Sequence, residues 1–487
     1  MVGEELKAYF RENSFVRQHL SSYNKFVDKN LQEIISSSEK ISTNIEGFEI
    51  KLGRIRLEKP MVIEADGSRR EIIPNEARVR NITYSAPIFL EVIPIMHGIE
   101  SLISEVYIGE LPVMIKSKLC YLENMGKEEL IESGEDPNDP GGYFIINGSE
   151  KVLVGIEDLA PNRLITTKED LKKLTISKIF STRTGFRARC VVERKEDGTM
   201  KADFPSSPSE LRLTVLLKAL GLKSNNEILA NIPGDMSLKN DLLINFEVDT
   251  TKNTPEALLK IGKMLMPTRE EDEQLLRAEL LLDSYLLPHI STEKEARMKK
   301  AKFLIEMAYR ANLVGTGRVP PDDKDHYANK RVKLSGMLME ELFRYAFQFL
   351  VRDIQYQASR AEARGRRLIV QNLVRPDALS DKMRTSLATG NWIAGQTGVA
   401  QLLDRTSYLA TMSHLRRVNS PLSKKHPHFL ARDLHGTHWG KLCPTESPEG
   451  PNIALVKNLA LITEITPGEE KIETIYDKIR EFGLKAL

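Results

Sequence analysis

The stretch from Arg405 to Lys457, RTSYLATMSHLRRVNSPLSKKHPHFLARDLHGTHWGKLCPTESPEGPNIALVK, most constrains how this chain can fold. Between Arg405 and Thr445 it holds seven Lys or Arg against a single acid, Asp433, although the 487-residue chain carries a formal net charge of only +2. Cations gathered in this way mark a polyanion site. Within it, Lys424-Lys425-His426-Pro427-His428 is too polar for a core. Five of the nine histidines, His414, His426, His428, His435 and His438, lie in the stretch with Trp439, and it ends in the turn sequence Ser447-Pro448-Glu449-Gly450-Pro451. Most of the chain therefore reads as scaffolding around this segment.

At roughly 100 to 200 residues per domain, the length predicts three or so domains with ample core. The three cysteines, Cys120, Cys190 and Cys443, stand far apart with no C-x-x-C pair, so neither a disulfide framework nor a thiolate zinc site is indicated. The amino terminus is charged, and no apolar run approaches the ~18 residues of a membrane span. The expectation is a cytoplasmic protein that meets no membrane.

Apolar spacing predicts a helix over Leu20 to Ser36. Alternation over FEIKLGRIRL and EVIPI predicts strands, with Asp66-Gly67 as a hairpin turn between MVIEA and SRREII. A further strand set is expected in ELPVMIKSKLCYL. Asp136 to Tyr143, DPNDPGGY, is a cluster of turn formers; Gly141 and Gly142 lead into a strand, whereas a phosphate loop needs a helix N-terminus. Asn147-Gly148-Ser149 reads as a turn. Beyond Ile156 come the strand FRARCVVER, closed by a turn at Lys195 to Gly198, and helices over Leu211 to Leu220, Pro255 to Met266, Arg269 to Leu287 and Glu293 to Leu313. The acidic run Glu270 to Glu273 suits a helix start. A long helix is expected over Leu338 to Ser359, with Leu338, Leu342, Phe343, Tyr345, Ala346, Phe349, Leu350 and Ile354 inward. Arg360, Arg364, Arg366 and Arg367 then read as a basic face.

Two metal readings arise and are not adopted. Asp322, Asp323 and Asp325 follow a Pro-Pro turn, and consecutive side chains need not converge on one ion. His435, His438 and Cys443 supply suitable zinc donors but have no fourth ligand at a fitting spacing. Among the cations, Arg416, Arg417, Lys424, Lys425, Arg432 and Lys441 are the candidate nucleic-acid contacts. Arginine's planar guanidinium suits phosphate, and flexible lysines suit contacts indifferent to sequence.

SHLRRVNSPL, ARDLHGTHWGKLCPTESPEGPN and LVKNLAL closely resemble the fork region of the second-largest subunit of multisubunit RNA polymerases. The resemblance extends to LATGNW (Leu387 to Trp392), DHYANKRVKLSG (Asp325 to Gly336), GGYFIINGSEKVLV (Gly141 to Val154) and YFRENSFVRQHLSSYNKFV (Tyr9 to Val27). It is best matched by the archaeal form divided into two polypeptides, of which the first is called B double prime. The resemblance implies a mixed α+β, multidomain chain: a protrusion in two parts, 1–155 and 332–379, an inserted lobe at 156–331, the fork at 380–462 and the start of an external 1 domain at 463–487. It places fork loop 2 at Leu422 to Phe429, beside the downstream edge of the transcription bubble. Gln401, Asp404, His414 and Arg417 match positions lining the rifamycin pocket of bacterial relatives, whereas Val418-Asn419 departs from that pattern.

By the same resemblance, DNA-directed RNA polymerase is a nucleotidyltransferase whose Mg2+ is held by the largest subunit, so this chain binds no cofactor and is inactive alone. Glu446 influences the incoming nucleotide at most indirectly; its alternative is a fold-making turn beside Glu449. The implied partners are the second half of the subunit, the largest subunit, smaller subunits, template DNA and RNA. The second half should cover apolar surface at Ile472, Ile475, Tyr476, Ile479 and Phe482. The rival readings are a free-standing nucleic-acid-binding protein and a metal hydrolase built on His435, His438 and Cys443.

Overall fold

The chain leaves its first unit at Asp158 and returns to it at Val332: Met1–Asp158 and Val332–Leu487 form one compact unit, and Leu159–Arg331 form another. The computed structural model describes residues 2–483 apart from 65, 184, 210, 233–235 and 467–471. The fold is mixed, with several antiparallel sheets and many helices. No helix among the described residues is long and apolar enough to cross a membrane.

The first unit is built on a sheet in which Lys40–Ser42, Phe48–Leu57 and Ser85–Met96 lie side by side. Ser85–Met96 also pairs with Ile99–Glu100 and with Ser104–Pro112. Alternate residues Ala86, Ile88, Leu90 and Val92 are buried, as a half-covered strand requires. Their cover comes from both ends of the chain. The amino-terminal helix runs from Arg17 to Ser37 through a π-helical turn at Phe26–Asn30. The 29-residue helix Ser335–Ala363 lies beside it, and Phe26, Ile34, Ile88, Leu90, Leu342, Phe343 and Phe347 share one hydrophobic core.

Gly336 shows how tightly the two helices meet. A Cβ there would lie 2.0 Å from the Ser22 carbonyl oxygen, and the Gly336 N–H donates to Ser22 Oγ at 3.1 Å. The motif DHYANKRVKLSG therefore ends on a residue that must lack a side chain. Two of the long helix's expected inward residues are corrected: Tyr345 and Phe349 are 40% and 47% exposed. They fall at the margin of the apolar stripe, where both rings meet the Lys382 ammonium, and Met339 and Phe347 are buried instead.

ELPVMIKSKLCYL is likewise only half strand. Ser104–Pro112 pairs, but from Met114 the backbone turns, with Lys116 at φ 62°, and Cys120 and Leu122 sink into a second cluster without a ladder. DPNDPGGY is the expected turn. Gly141 and Gly142 adopt φ 73° and 80°, and a Cβ on Gly141 would lie 2.8 Å from the Ile115 carbonyl oxygen. Phe144–Ile146 and Ser149–Leu153 follow as a hairpin about Asn147-Gly148, both at positive φ.

The second unit pairs Ile165–Glu169, Leu174–Arg183, Phe186–Lys195 and Met200–Asp203 into an antiparallel sheet. Helices Leu213–Ala219, Thr254–Leu265, Glu271–Ser284 and Arg297–Gly315 fall where the apolar spacing predicts them, and Met236–Val248 is one it did not reveal. Glu271, Asp272 and Glu273 occupy a first helical turn, where carboxylates favour the macrodipole. Asp322 receives the Thr166 N–H at 2.8 Å and Arg310 at 2.9 Å, while Asp325 faces Lys330 at 3.3 Å, so the aspartates turn to different partners.

Candidate nucleic-acid interface

Helix Tyr408–Leu415 begins at Ser407, whose hydroxyl accepts the Ala410 N–H at 3.1 Å. It hands over to strand Arg417–Asn419, which pairs in parallel with Gly155–Leu159 and antiparallel with Val456–Asn458. Successive side chains on entry to a strand face opposite ways. Arg416 and Arg417 therefore divide between inside and outside.

Arg416 goes inside and is 6% exposed. Its guanidinium donates to the carbonyls of Phe15 at 2.8 Å, Ala460 at 2.6 Å and Leu461 at 3.2 Å. Burial lowers its pKa, opposed by the Glu446 carboxylate. With these donors already engaged, the guanidinium joins the amino-terminal segment to the end of the fork stretch and is turned away from solvent. Arg417 takes the other side. It lines an open cavity of about 520 Å³ with Gln401, Asn419, Lys424, Glu446 and Asn452.

Three atoms around that cavity, Arg417 Nε, Asn419 Oδ1 and Asn452 Oδ1, are buried with no hydrogen-bond partner. Buried polar atoms are nearly always satisfied, so such a group calls for an explanation, and a bound ligand is one. The two cations outweigh the one carboxylate. Glu446 is held from behind, accepting from Ser413 Oγ at 2.5 Å and Asn458 Nδ2 at 2.9 Å. This arrangement gives the carboxylate a fixed place beside the cations.

His414 fixes the opposite wall. Its Nδ1 accepts the Asp404 N–H at 3.2 Å, so the ring proton sits on Nε2 and is donated to Gln401 Oε1 at 3.0 Å. Burial, then the Arg417 charge, lower its pKa to about 4. A neutral imidazole thus orients the Gln401 amide, whose Nε2 donates to the Gly398 carbonyl at 2.9 Å. Asp404, His414, Gln401 and Arg417 are thereby gathered in one place.

The other candidate cations separate. Lys424 and Lys425 are exposed on the loop, and only Lys424 lines the cavity. Arg432 is held by backbone carbonyls: Nε donates to Pro427 at 2.8 Å and a terminal nitrogen to Pro451 and Ile453 at 3.0 and 2.8 Å. It ties the basic loop to the proline turn. Lys441 is exposed, and its amide donates to the His438 carbonyl at 3.0 Å. Arg405 turns away onto Glu150 at 2.6 Å and Asp139 at 2.7 Å. His435 Nδ1 is engaged by Thr437 at 2.7 Å and Cys443 Sγ by Thr445 at 3.5 Å. Among the described residues, no three His, Cys, Asp or Glu are grouped to hold a metal ion.

Two buried residues of LVKNLAL have roles that sequence reasoning did not assign. Lys457 forms an ion pair with Glu157 at 2.8 Å, from a strand 300 positions earlier. Asn458 Nδ2 reaches the Ser413 carbonyl at 3.0 Å as well as Glu446, so it joins helix, strand and turn. Nothing local marks either role, because every partner lies on another element. Elsewhere in the same stretch of sequence, Tyr408, Leu409, Phe429, Leu430, Leu434 and Trp439 are exposed, more apolar surface than a solvated basic loop would carry. Ile475, Tyr476, Ile479 and Phe482 are also exposed on or just after helix Ile472–Glu481, while the Ile472 side chain lies outside the described residues.

A family model described as RNA polymerase beta subunit matches residues 14–381, and one described as RNA polymerase Rpb2, domain 3, matches residues 401–465. The chain is 49% identical to DNA-directed RNA polymerase subunit Rpo2N of Methanococcus vannielii, over 98% of each chain. It is 48% identical to the Rpo2N of Methanocaldococcus jannaschii, over 99% of each. Against the Rpo2 chain of Saccharolobus shibatae, also a DNA-directed RNA polymerase subunit, it is 46% identical over 97% of this chain and 42% of that one. The first model alone spans well over half the sequence, and the chain belongs to the RNA polymerase beta-subunit family.

Proposed function

We propose that the chain is the amino-terminal half of the second-largest subunit of a DNA-directed RNA polymerase, in the divided archaeal form where this half is called B double prime, and that it serves template-directed RNA synthesis within the assembled enzyme. The observation that carries this reading is near-full-length identity to two Rpo2N chains, set beside a match to only 42% of an undivided relative. A second polypeptide supplies the rest of the subunit. Exposed Ile475, Tyr476, Ile479 and Phe482, and the exposed apolar side chains between Tyr408 and Trp439, are surfaces for it and for neighbouring subunits, the largest among them.

In this reading residues 1–155 and 332–379 are the protrusion, 380–462 the fork, and 156–331 the lobe inserted between the protrusion's two parts, a division close to that of the two compact units. Together they form one jaw of the DNA cleft, with the start of the external 1 domain at 463–487. The fork cavity faces the nucleic acid at the downstream edge of the bubble. Arg417 meets phosphate, and Lys424 and Lys425 make contacts that any sequence satisfies. Arg416 and Arg432 hold the backbone that presents them, and Lys441 lies at the surface nearby.

Nucleotidyl transfer rests on positioning and on metal ions that stabilise the attacking and leaving oxygens. In this reading that Mg2+ belongs to the largest subunit, while Asp322 and Asp325 of this chain serve Arg310 and Lys330. Glu446, fixed by Ser413 and Asn458, acts at most by ordering the cations beside it. Native mass measurement of the complex purified through this chain tests the reading. A second polypeptide carrying the rest of the subunit is expected; a monomer would point instead to a free-standing nucleic-acid-binding protein.

A further inference from the structure

The helix Ser335–Ala363 ends in a turn that brings four arginines together. Gly365, at φ 63°, donates its N–H to the Glu362 carbonyl at 2.8 Å, and the Arg366 N–H reaches back to the Ala361 carbonyl at 3.0 Å. This is the Schellman pattern, which needs a left-handed residue and reverses the chain. Arg366 and Arg367 therefore return over the last helical turn, which carries Arg360 and Arg364. All four line one open cavity of about 440 Å³, with the amides of Gln357 and Asn372 at its rim.

No carboxylate lines that cavity, and none of the four guanidiniums forms an ion pair with a described residue. The segment uses acids where they are in reach: Arg375, a few residues on, donates Nε to Asp353 at 2.8 Å. A helix carboxyl end favours nearby cations. That accounts for Arg360 and Arg364, but Arg366 and Arg367 follow the reversal and still face the same space. Four like charges converging on a concavity repel one another unless an anion fills it.

We propose that this arginine cradle binds the phosphodiester backbone of nucleic acid, as a contact that shares no lining residue with the fork cavity. Guanidiniums pair with phosphate through two parallel hydrogen bonds, and several around one groove follow consecutive phosphates. An acidic protein segment is the less suited occupant. Protein interfaces centre on apolar anchors, and the only exposed large apolar side chain of this cavity is Ile369. Only the polyanion's identity rests on the subunit reading.

The test uses the assembled polymerase carrying Arg364→Gln, Arg366→Gln and Arg367→Gln, beside a second enzyme carrying Lys424→Ala and Lys425→Ala. Binding to a labelled DNA–RNA scaffold is followed against salt. The cradle variant is expected to flatten the plot of log K against log [salt] by roughly 0.9 per lost phosphate, about 2 to 3 in all. Arginine-to-lysine changes at the same positions should restore the slope. An unchanged slope overturns the cradle even if the fork variant shifts, and loss of the fork effect alone leaves the cradle standing. A benzophenone amino acid in place of Asn372 gives a second readout that needs no arginine change. Crosslinks to a labelled DNA or RNA strand support the proposal and say which strand is held; crosslinks confined to protein overturn it.

Discussion

Between Arg405 and Arg432 three of four arginines are engaged by the protein itself, on carboxylates or carbonyls, whereas the guanidiniums of the four between Arg360 and Arg367 have no such partner among the described residues. By composition the fork stretch is the basic one. In three dimensions, most of its guanidiniums are held by the protein itself, and the exposed lysines of the stretch are Lys424, Lys425 and Lys441. A count of charges along a sequence therefore measures two quantities at once: cations that hold the chain in place and cations that are offered to a ligand.

Arg416→Ala puts this contrast under the greatest strain. Removing that guanidinium leaves the carbonyls of Phe15 and Leu461 without this donor and Ala460 with only the Thr463 N–H, and a loss of about 3 kcal/mol in urea unfolding of the chain is expected. A loss within experimental error would mean that the buried arginine is no brace. Acid should act on the same region. His19, which donates to the Leu415 carbonyl at 2.7 Å, and His414 both have pKa values lowered to about 4, by burial first. The unfolded chain takes up these protons near pH 6.5 and the folded chain does not. Stability is therefore full above pH 6.5 and falls as pH drops toward 4, by roughly 2 to 3 kcal/mol for each histidine. Denaturation midpoints across that range should show the fall, and a flat profile would contradict the buried, neutral rings.

Arg432→Ala tests the smaller brace. With the Pro427, Pro451 and Ile453 carbonyls released at a partly exposed site, about 1 kcal/mol is expected, read as faster amide hydrogen exchange in residues 426–434 and 452–455. Smallest of all, Arg366→Ala should change stability by no more than about 0.5 kcal/mol, because nothing in the fold uses its guanidinium. A loss as large as that of Arg416→Ala would erase the contrast between the two clusters.

Periodic elements were legible in the sequence because their cause is local. The helices near Leu20, Pro255, Glu293 and Leu338, the hairpin at Asp66-Gly67 and the turn at Asn147-Gly148 carry their spacing or turn chemistry within a few residues. ELPVMIKSKLCYL was misread for the same reason. Its apolar residues serve a core without a ladder, and composition does not tell the two apart. At the site, the location of the basic stretch was legible, but the division between Arg416 and Arg417 was not. It depends on which way a strand enters a sheet between neighbours that lie about Gly155 and Val456. The missing partners of Arg360 to Arg367 likewise could not be read from the sequence, since only a fold shows that no acid comes near.

The parallel pairing of Gly155–Leu159 with Arg417–Asn419, sealed by Glu157 and Lys457, also sets a schedule for biosynthesis. The edge beside Ile156 must wait for a strand encoded some way downstream, and its seal at Lys457 comes 300 residues after Glu157. At about 5 to 20 residues per second, that is roughly 15 to 60 s on the ribosome. Until Arg417–Asn419 emerges the nascent chain presents that edge unpaired, and until Lys457 emerges it lacks the seal, so chaperone demand during translation should be concentrated in the window before residue 458 emerges.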